Sequence, residues 1–216
     1  IRKKFPQKIY SQESLSWGQK RFQEMNGEHL GNMKSLPSGK SCTTHVSVID
    51  TWNNIVSITI SHGEGSGHMI SDTGIMMNNL MGEKDLSPGG FHSHNPGIRL
   101  QTMMSPCIIQ TKEGDILALG TGGANRIRSA ILQTLINILD QKKSIEDAVS
   151  CPRLHFDNGT LFVELIDEYS NKEEYLRELA PNKVITFSEK NFFFGGVNLV
   201  KCDRNGTPSI STRNHN

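Results

Sequence analysis

The sequence has few of the features that mark membrane, nucleic-acid-binding or disulfide-rich proteins. Its 216 residues carry a formal net charge of +1, and this balance gives no case for nucleic acid or a charged membrane as a partner. No apolar run is long enough to span a bilayer. Cysteine is scarce and forms no CxxC pair, so we expect free, mostly buried thiols rather than a disulfide framework or a zinc site. The four cysteines are Cys42, Cys107, Cys151 and Cys202.

Length and composition suggest one domain preceded by a different segment. A chain of 216 residues can bury a sizeable core. It starts at Ile1 rather than methionine, so we expect a piece of something longer. Residues 11–26 have the spacing of an amphipathic helix, and residues 31–40 have the Gly, Ser, Pro and Asn content of an exposed linker. We therefore divide the chain into a leading segment, 1–42, and a domain, 43–216.

Residues 43–61 predict a β-hairpin. Two runs of alternating, β-branched residues flank a four-residue turn. In an antiparallel ladder closed by that turn, Thr43-Thr44 falls opposite Ser61-His62. A hydroxyl residue at the start of the first strand would then meet a second hydroxyl at the end of its partner.

The first of these strands, Thr43-Thr44-His45-x-Ser47-Val48-x-Asp50, resembles the start of the small subunit of gamma-glutamyltranspeptidases, which are N-terminal-nucleophile hydrolases. The resemblance implies self-cleavage before Thr43, whose hydroxyl becomes the nucleophile and whose own α-amine becomes the base. A threonine hydroxyl needs such a base, and an N-terminal amine titrates near neutrality. Ser61 would orient the hydroxyl. The alternative for so short a motif is a plain strand with two surface threonines.

Three later segments follow in the family's order, so that the resemblance covers roughly residues 43–201. They are Gly74-Ile75-Met76-Met77-Asn78-Asn79, read as a strand, the segment from Arg99 to Pro106, and Cys151-Pro152-Arg153. Motifs in the right order are more specific than any one of them. The resemblance implies an α/β fold, the αββα four-layer sandwich of N-terminal-nucleophile hydrolases, of which this chain is the catalytic half. It also implies the large subunit of the same precursor as a partner and no metal or organic cofactor.

The glycine-rich stretch Gly120-Thr121-Gly122-Gly123-Ala124-Asn125-Arg126 opens a predicted helix, in which apolar residues from Ile127 to Leu139 recur at helical spacing. Bare backbone N–H groups at a helix start suit a developing oxyanion. The family has a similar segment with its glycine pair shifted by one position. Gly122 and Gly123 are the oxyanion candidates, and a tight strand-to-helix turn is the alternative.

The resemblance also implies a small-molecule γ-glutamyl substrate. Its implied contacts are Asn79, Glu83, Thr102 and Arg126, with Glu83 near the substrate's α-amine and Thr102 near its α-carboxylate. Five positions depart from the family pattern: Gly63 replaces an asparagine, Leu80 a glutamine, Glu83 an aspartate, and Thr102 and Met103 a pair of serines, of which Thr102 keeps the hydroxyl. Each lost partner of a charged group costs about 1.5–3 kcal/mol. A related amide acylase without a glutamyl head group therefore stays open, as does a non-catalytic fragment.

The long loop over residues 80–104 contains His92-Ser93-His94. Together with His62 and His68 it could form a metal cluster, but no HExxH or helical i, i+4 pairing supports one. Long loops beside a catalytic strand more often act as lids. The loop looks shorter than the lid of many members of the family that the sequence resembles, which implies a site open to water or bulkier acceptors.

The remaining pattern predicts hairpins alternating with helices. A hairpin is expected over residues 107–120 and another around Asp157-Asn158-Gly159. Ser144-Ile145-Glu146-Asp147 is a capping box that begins a short helix. Residues 167–180 predict a charged surface helix, and residues 184–187 and 192–201 predict the closing strands.

Overall fold

A computed structural model of the chain describes residues 43–83, 85–90, 93–164, 173–179 and 183–213. The leading segment, with its predicted helix and linker, lies outside the described residues. Within them the chain forms strands β1 to β9 and helices α1 to α3. The strands are Thr43–Ile49, Ile55–Ser61, Cys107–Gln110, Ile116–Thr121, Leu154–Asp157, Thr160–Glu164, Lys183–Phe187, Val197–Cys202 and Pro208–Thr212. The helices are Ile127–Leu139, Ile145–Ser150 and Glu173–Leu179.

The predicted first hairpin is confirmed. Strands β1 and β2 pair antiparallel with Thr43 opposite Ser61. The turn is held by the Asp50 carboxylate, which accepts hydrogen bonds from the backbone N–H groups of Trp52 and Asn54, both at 2.8 Å. Because the turn fixes the register, the hydroxyl at the start of β1 meets the hydroxyl at the end of β2.

Three layers of the expected four-layer sandwich are present in the described part of the chain. The central layer is a four-stranded sheet in the order β3-β4-β8-β9. The β1–β2 hairpin packs on one face of it, and α1 and α2 pack on the other. The main core lies between the helices and the sheet and consists of Leu117, Leu119, Ile127, Ala130, Ile131, Ile145, Val149, Val197 and Leu199. A separate three-stranded sheet has the order β5-β6-β7.

The β1–β2 hairpin turns its polar side inward. His45 is buried against the central sheet, and Ser47, Ser57 and Thr59 share its face. The opposite face is apolar, and its side chains are 46–60% exposed. This outer apolar face consists of Val46, Val48, Val56, Ile58 and Ile60. A contiguous exposed apolar face of this kind is typical of an interaction surface.

One predicted strand is wrong, a second begins later than predicted, and one observed strand was not predicted. Residues 74–79 form no strand and contribute one isolated bridge, Met69 to Met76. The chain enters this segment through left-handed backbone at Asp72 with φ +62° and Gly74 with φ +68°. The strand expected over residues 192–201 begins only at Val197, because Phe192–Phe194 form a 3-10 turn ended by Gly195 with φ +71°. Strand β9 completes the sheet beside β8.

The other predicted elements are confirmed within small boundary shifts. Ser144 Oγ accepts the backbone N–H of Asp147 at 3.0 Å and so caps α2. The Asn158-Gly159 turn has positive φ at both residues, which is the conformation that favours this pair in a two-residue hairpin. Helix α3 lies inside the predicted range, whose first six residues fall outside the described ones. Cys107, Cys151 and Cys202 are free thiols, but only Cys202 is buried.

Candidate active site

Two hydroxyls meet where β1 begins and β2 ends. Thr43 Oγ1 lies 2.9 Å from Ser61 Oγ. The backbone N–H of Gly63 donates to the same Ser61 oxygen at 3.0 Å. Either hydroxyl can donate in the contact between Thr43 and Ser61. The bond from Gly63 fixes the Ser61 oxygen, and the Ser61 oxygen in turn positions Thr43 Oγ1.

A buried histidine supports the start of β1, a role that the sequence alone did not suggest. His45 Nδ1 lies 2.8 Å from Thr59 Oγ1, and its Nε2 lies 2.7 Å from Ser47 Oγ. A Cβ at Gly120 would lie 2.3 Å from the His45 ring, so glycine is what lets the ring pack on β4. Burial lowers the pKa of His45, which favours the neutral ring between its two hydroxyl partners. The His45 ring therefore fixes the beginning of β1, which carries Thr43, against the central sheet.

The glycine pair expected to bind an oxyanion follows β4 and reaches Thr43. A Cβ at Gly122 would lie 2.5 Å from the Thr43 carbonyl oxygen and 3.3 Å from the Thr43 Cβ. Gly123 is left-handed, with φ +131°, and packs against Gly195, whose Cα lies 3.3 Å from the position of a Gly123 Cβ. The backbone at Gly122 is thus the nearer of the two to Thr43.

A buried ionic cluster fixes the loop behind this glycine pair. Arg153 donates to the carbonyls of Phe194 at 3.1 Å and Gly195 at 2.6 Å. The Glu164 carboxylate accepts the Arg153 backbone N–H at 3.1 Å and also pairs with Arg213. Burial lowers the pKa of Arg153 to about 9, with the like charge of Arg213 as a second cause. Breaking such a buried pair is strongly destabilising, so these charges anchor the loop that contacts Gly123.

Glu83 and Asn79 approach the site from the loop after β2. A Cβ at Gly63 would lie 2.3 Å from Glu83 Oε1 and 2.3 Å from Asn79 Oδ1. Both side chains therefore lie against the residue whose N–H binds Ser61. Burial raises the pKa of Glu83, and the negative charges of Glu64 and Asp85 raise it further. The ionised form of a carboxylate in such surroundings is stabilised when a cation binds beside it.

The other two predicted substrate contacts, Thr102 and Arg126, have different surroundings from Glu83 and Asn79. Thr102 is exposed, while its neighbour Met103 packs against the core. Arg126 is buried: its Nε donates to the Phe193 carbonyl at 3.0 Å and its guanidinium lies 4.8 Å from the Phe193 ring centre. A third contact joins it to Asn125 Oδ1 at 2.6 Å. These internal contacts engage the Arg126 guanidinium, whereas Glu83 and Asn79 lie against the turn that binds Ser61.

The histidines of the long loop do not assemble with the site among the described residues. His92 lies outside them, and His94 Nε2 lies 3.2 Å from Ser87 Oγ. Over the described ranges, no three His, Cys, Asp or Glu side chains are grouped closely enough to hold a metal ion. Nor do those ranges contain a helix with the length and apolar character to cross a membrane.

Comparison with known proteins gives concordant matches. The gamma-glutamyltranspeptidase family model matches residues 3–213. The acylase ACY 1 proenzyme of Pseudomonas sp. (strain SE83) is 41% identical over 180 residues, covering 80% of this chain and 30% of that protein. The glutathione hydrolase proenzyme of Bacillus subtilis (strain 168) is 33% identical over 115 residues, covering 52% and 20%. The chain thus spans less than a third of the length of either curated relative.

The fold is shared with solved structures. A mutant of the Helicobacter pylori gamma-glutamyltranspeptidase superposes with a TM-score of 0.66 at 26% identity. The match covers 80% of this chain and 100% of that chain. The N-terminal-nucleophile hydrolase fold expected from the sequence is therefore confirmed for the described part of the molecule.

Proposed function

Because the chain belongs to the gamma-glutamyltranspeptidase family, we propose that it is the catalytic part of a self-processing threonine hydrolase. Its reaction is acyl transfer from γ-glutamyl amides, such as glutathione, to water or amino acids. The observation that carries this proposal is the 2.9 Å contact between Thr43 Oγ1 and Ser61 Oγ, beside the backbone of Gly122.

Thr43 does the covalent chemistry in this proposal. Cleavage of the bond between Cys42 and Thr43 frees the Thr43 amine, which takes the proton of the hydroxyl. The hydroxyl oxygen then attacks the γ-carbonyl carbon, and the backbone N–H groups of Gly122 and Gly123 bind the oxyanion. The amine passes its proton to the leaving nitrogen as the C–N bond breaks. Water or an amino compound attacks the resulting ester and restores the hydroxyl.

A second polypeptide completes the enzyme in this proposal. Residues 1–42 are the tail of a large subunit and the processing linker, and residues 43–216 are the catalytic domain. The large subunit of the same precursor supplies the substrate-binding arginine and covers the outer apolar face of the β1–β2 hairpin. Two observations support this partner: that face is 46–60% exposed, and the curated relatives are more than three times as long as the matched part of this chain.

Ser61→Ala is expected to slow turnover and to leave the fold intact. The variant removes the hydroxyl that holds Thr43 Oγ1, a neutral hydrogen bond worth about 1 kcal/mol in stability but more at a reacting atom, so we expect kcat to fall by roughly 10²-fold. Ser57→Ala is the matched control, because its hydroxyl lies on the same strand face and bonds to the Leu119 carbonyl. Steady-state kinetics with circular dichroism check this, and an unchanged kcat would refute the role of Ser61.

Glu83→Gln is expected to raise KM for a γ-glutamyl anilide. The carboxylate is proposed to hold the substrate's α-amine, and a charged contact of about 1.5–3 kcal/mol corresponds to roughly tenfold or more in KM. Glu64→Gln is the control, because it removes a nearby negative charge without removing the contact. Equal changes in KM for the two variants would mean that the summed negative charge of this region binds the substrate, and that a direct contact with Glu83 does not.

A related amide acylase is the second candidate. Met103 packs against the core and Thr102 is exposed, so the carboxylate-binding half of a glutamyl pocket is weak here. The 41% identity to an acylase proenzyme favours the same reading. Turnover of a γ-glutamyl anilide, compared with that of a simple acyl anilide, separates the two candidates. A clear preference for the simple acyl anilide would replace the glutamyl proposal.

A further inference from the structure

In the turn after β2, next to the candidate nucleophile Thr43, two side chains pack against Gly63. Gly63 has φ +66°, and its N–H donates to Ser61 Oγ, which in turn contacts Thr43 Oγ1. The space that a side chain at this position would need is filled by the Glu83 carboxylate and the Asn79 amide, each 2.3 Å from the ideal Cβ. A side chain at this position would therefore displace at least one of these neighbours.

The two neighbours are held in different ways. Asn79 is tied to the turn twice, since its N–H donates to the His62 carbonyl at 3.1 Å and its Oδ1 accepts the Glu64 N–H at 2.8 Å. Glu83 ends the 3-10 turn Leu80–Gly82 and reaches Gly63 with a long, only partly buried side chain. If position 63 gained a side chain, Glu83 is the group that would move.

We infer that Gly63 and Glu83 form a coupled pair that sets how this site holds the head group of its acyl donor. The inference rests on the proposed function. Position 63 carries no side chain, and the Glu83 carboxylate occupies part of the space that one would take. The result is a carboxylate packed directly against the turn whose N–H binds Ser61.

The test compares four variants of the complete processed precursor with the wild type. Gly63→Asn adds the side chain, and asparagine is chosen because it tolerates left-handed backbone. Gly67→Asn is the matched control: its φ is +73°, and nothing lies within 4 Å of its Cβ position. Glu83→Asp shortens the carboxylate by one methylene, and Gly63→Asn/Glu83→Asp combines the two changes.

The expected result is a change in KM that the second substitution partly reverses. Gly63→Asn displaces the carboxylate and raises KM for a γ-glutamyl anilide by roughly tenfold, with kcat within about threefold, whereas Gly67→Asn changes neither. Glu83→Asp clears only one of the two contacts, because Asn79 Oδ1 stays 2.3 Å from the Cβ position. We therefore expect the double variant to have a KM at least about threefold below the product of the two single effects, which independent positions would not give. The melting temperature shows the same non-additive loss.

Two results would overturn the inference. If the effects of Gly63→Asn and Glu83→Asp on melting temperature are additive, the pair is not coupled, whatever the activity. If the two substitutions have non-additive effects on the melting temperature but additive effects on KM, the pair is structural and does not affect binding of the acyl donor. Failure of the proposed function looks different: the wild type itself would show no new Thr43 amino terminus and no turnover that depends on Thr43.

Discussion

Thr43→Ala is expected to leave the precursor uncut before residue 43 and to abolish turnover. The variant lacks the hydroxyl that is proposed to attack both the precursor bond and the substrate amide. Losing a catalytic nucleophile costs at least about 10⁴-fold in kcat. The full-length precursor, assayed by denaturing gel and with γ-glutamyl and simple acyl anilides, provides both measurements.

Thr44→Ala is the control for this prediction. Thr44 is the next residue in β1, and its exposed side chain points away from Ser61. The variant should process and turn over at close to the wild-type rate. If both threonine variants behave alike, the motif marks a surface strand rather than a nucleophile.

Gly122→Ala is expected to reduce kcat by roughly 10²–10³-fold, which is the usual loss when one oxyanion contact is removed. The added methyl would lie 2.5 Å from the Thr43 carbonyl oxygen, so either β1 or the glycine turn must shift. Both the position of the nucleophile and the backbone donor then change together, whereas the buried core is not touched. Steady-state kinetics on the processed protein measure the effect.

Gly206→Ala is the control for Gly122→Ala. Gly206 has φ +85° and nothing within 4 Å of its Cβ position, so the variant carries more backbone strain but meets no neighbour. We expect it to lower stability slightly and to leave kcat unchanged. A Gly122→Ala enzyme with wild-type kcat would remove this turn from the proposed oxyanion site.

The hairpin and its register could be predicted because they depend on local features. Alternation fixes which residues share a face, and a four-residue turn fixes which residues face each other. Those features placed Ser61 opposite Thr43. They could not show that the apolar face of this hairpin points outward, because that depends on what each face packs against.

The loop contacts could not be predicted, because they join distant parts of the chain. Arg126 is held by Phe193, which lies 67 residues further on. Glu83 meets Gly63 only because the intervening chain folds back on itself. The predicted strand at residues 74–79 failed for the same reason, since a strand needs a neighbour and that segment has one isolated bridge.

The most direct test of the central claim is an intact-mass spectrum of the folded full-length precursor. We expect two products whose masses place the break between Cys42 and Thr43, with a free Thr43 amine confirmed by amino-terminal sequencing. The break should appear without added protease. A chain that stays uncut at this bond and is nonetheless active on an amide would contradict the mechanism, because Thr43 would then have no amine to act as its base.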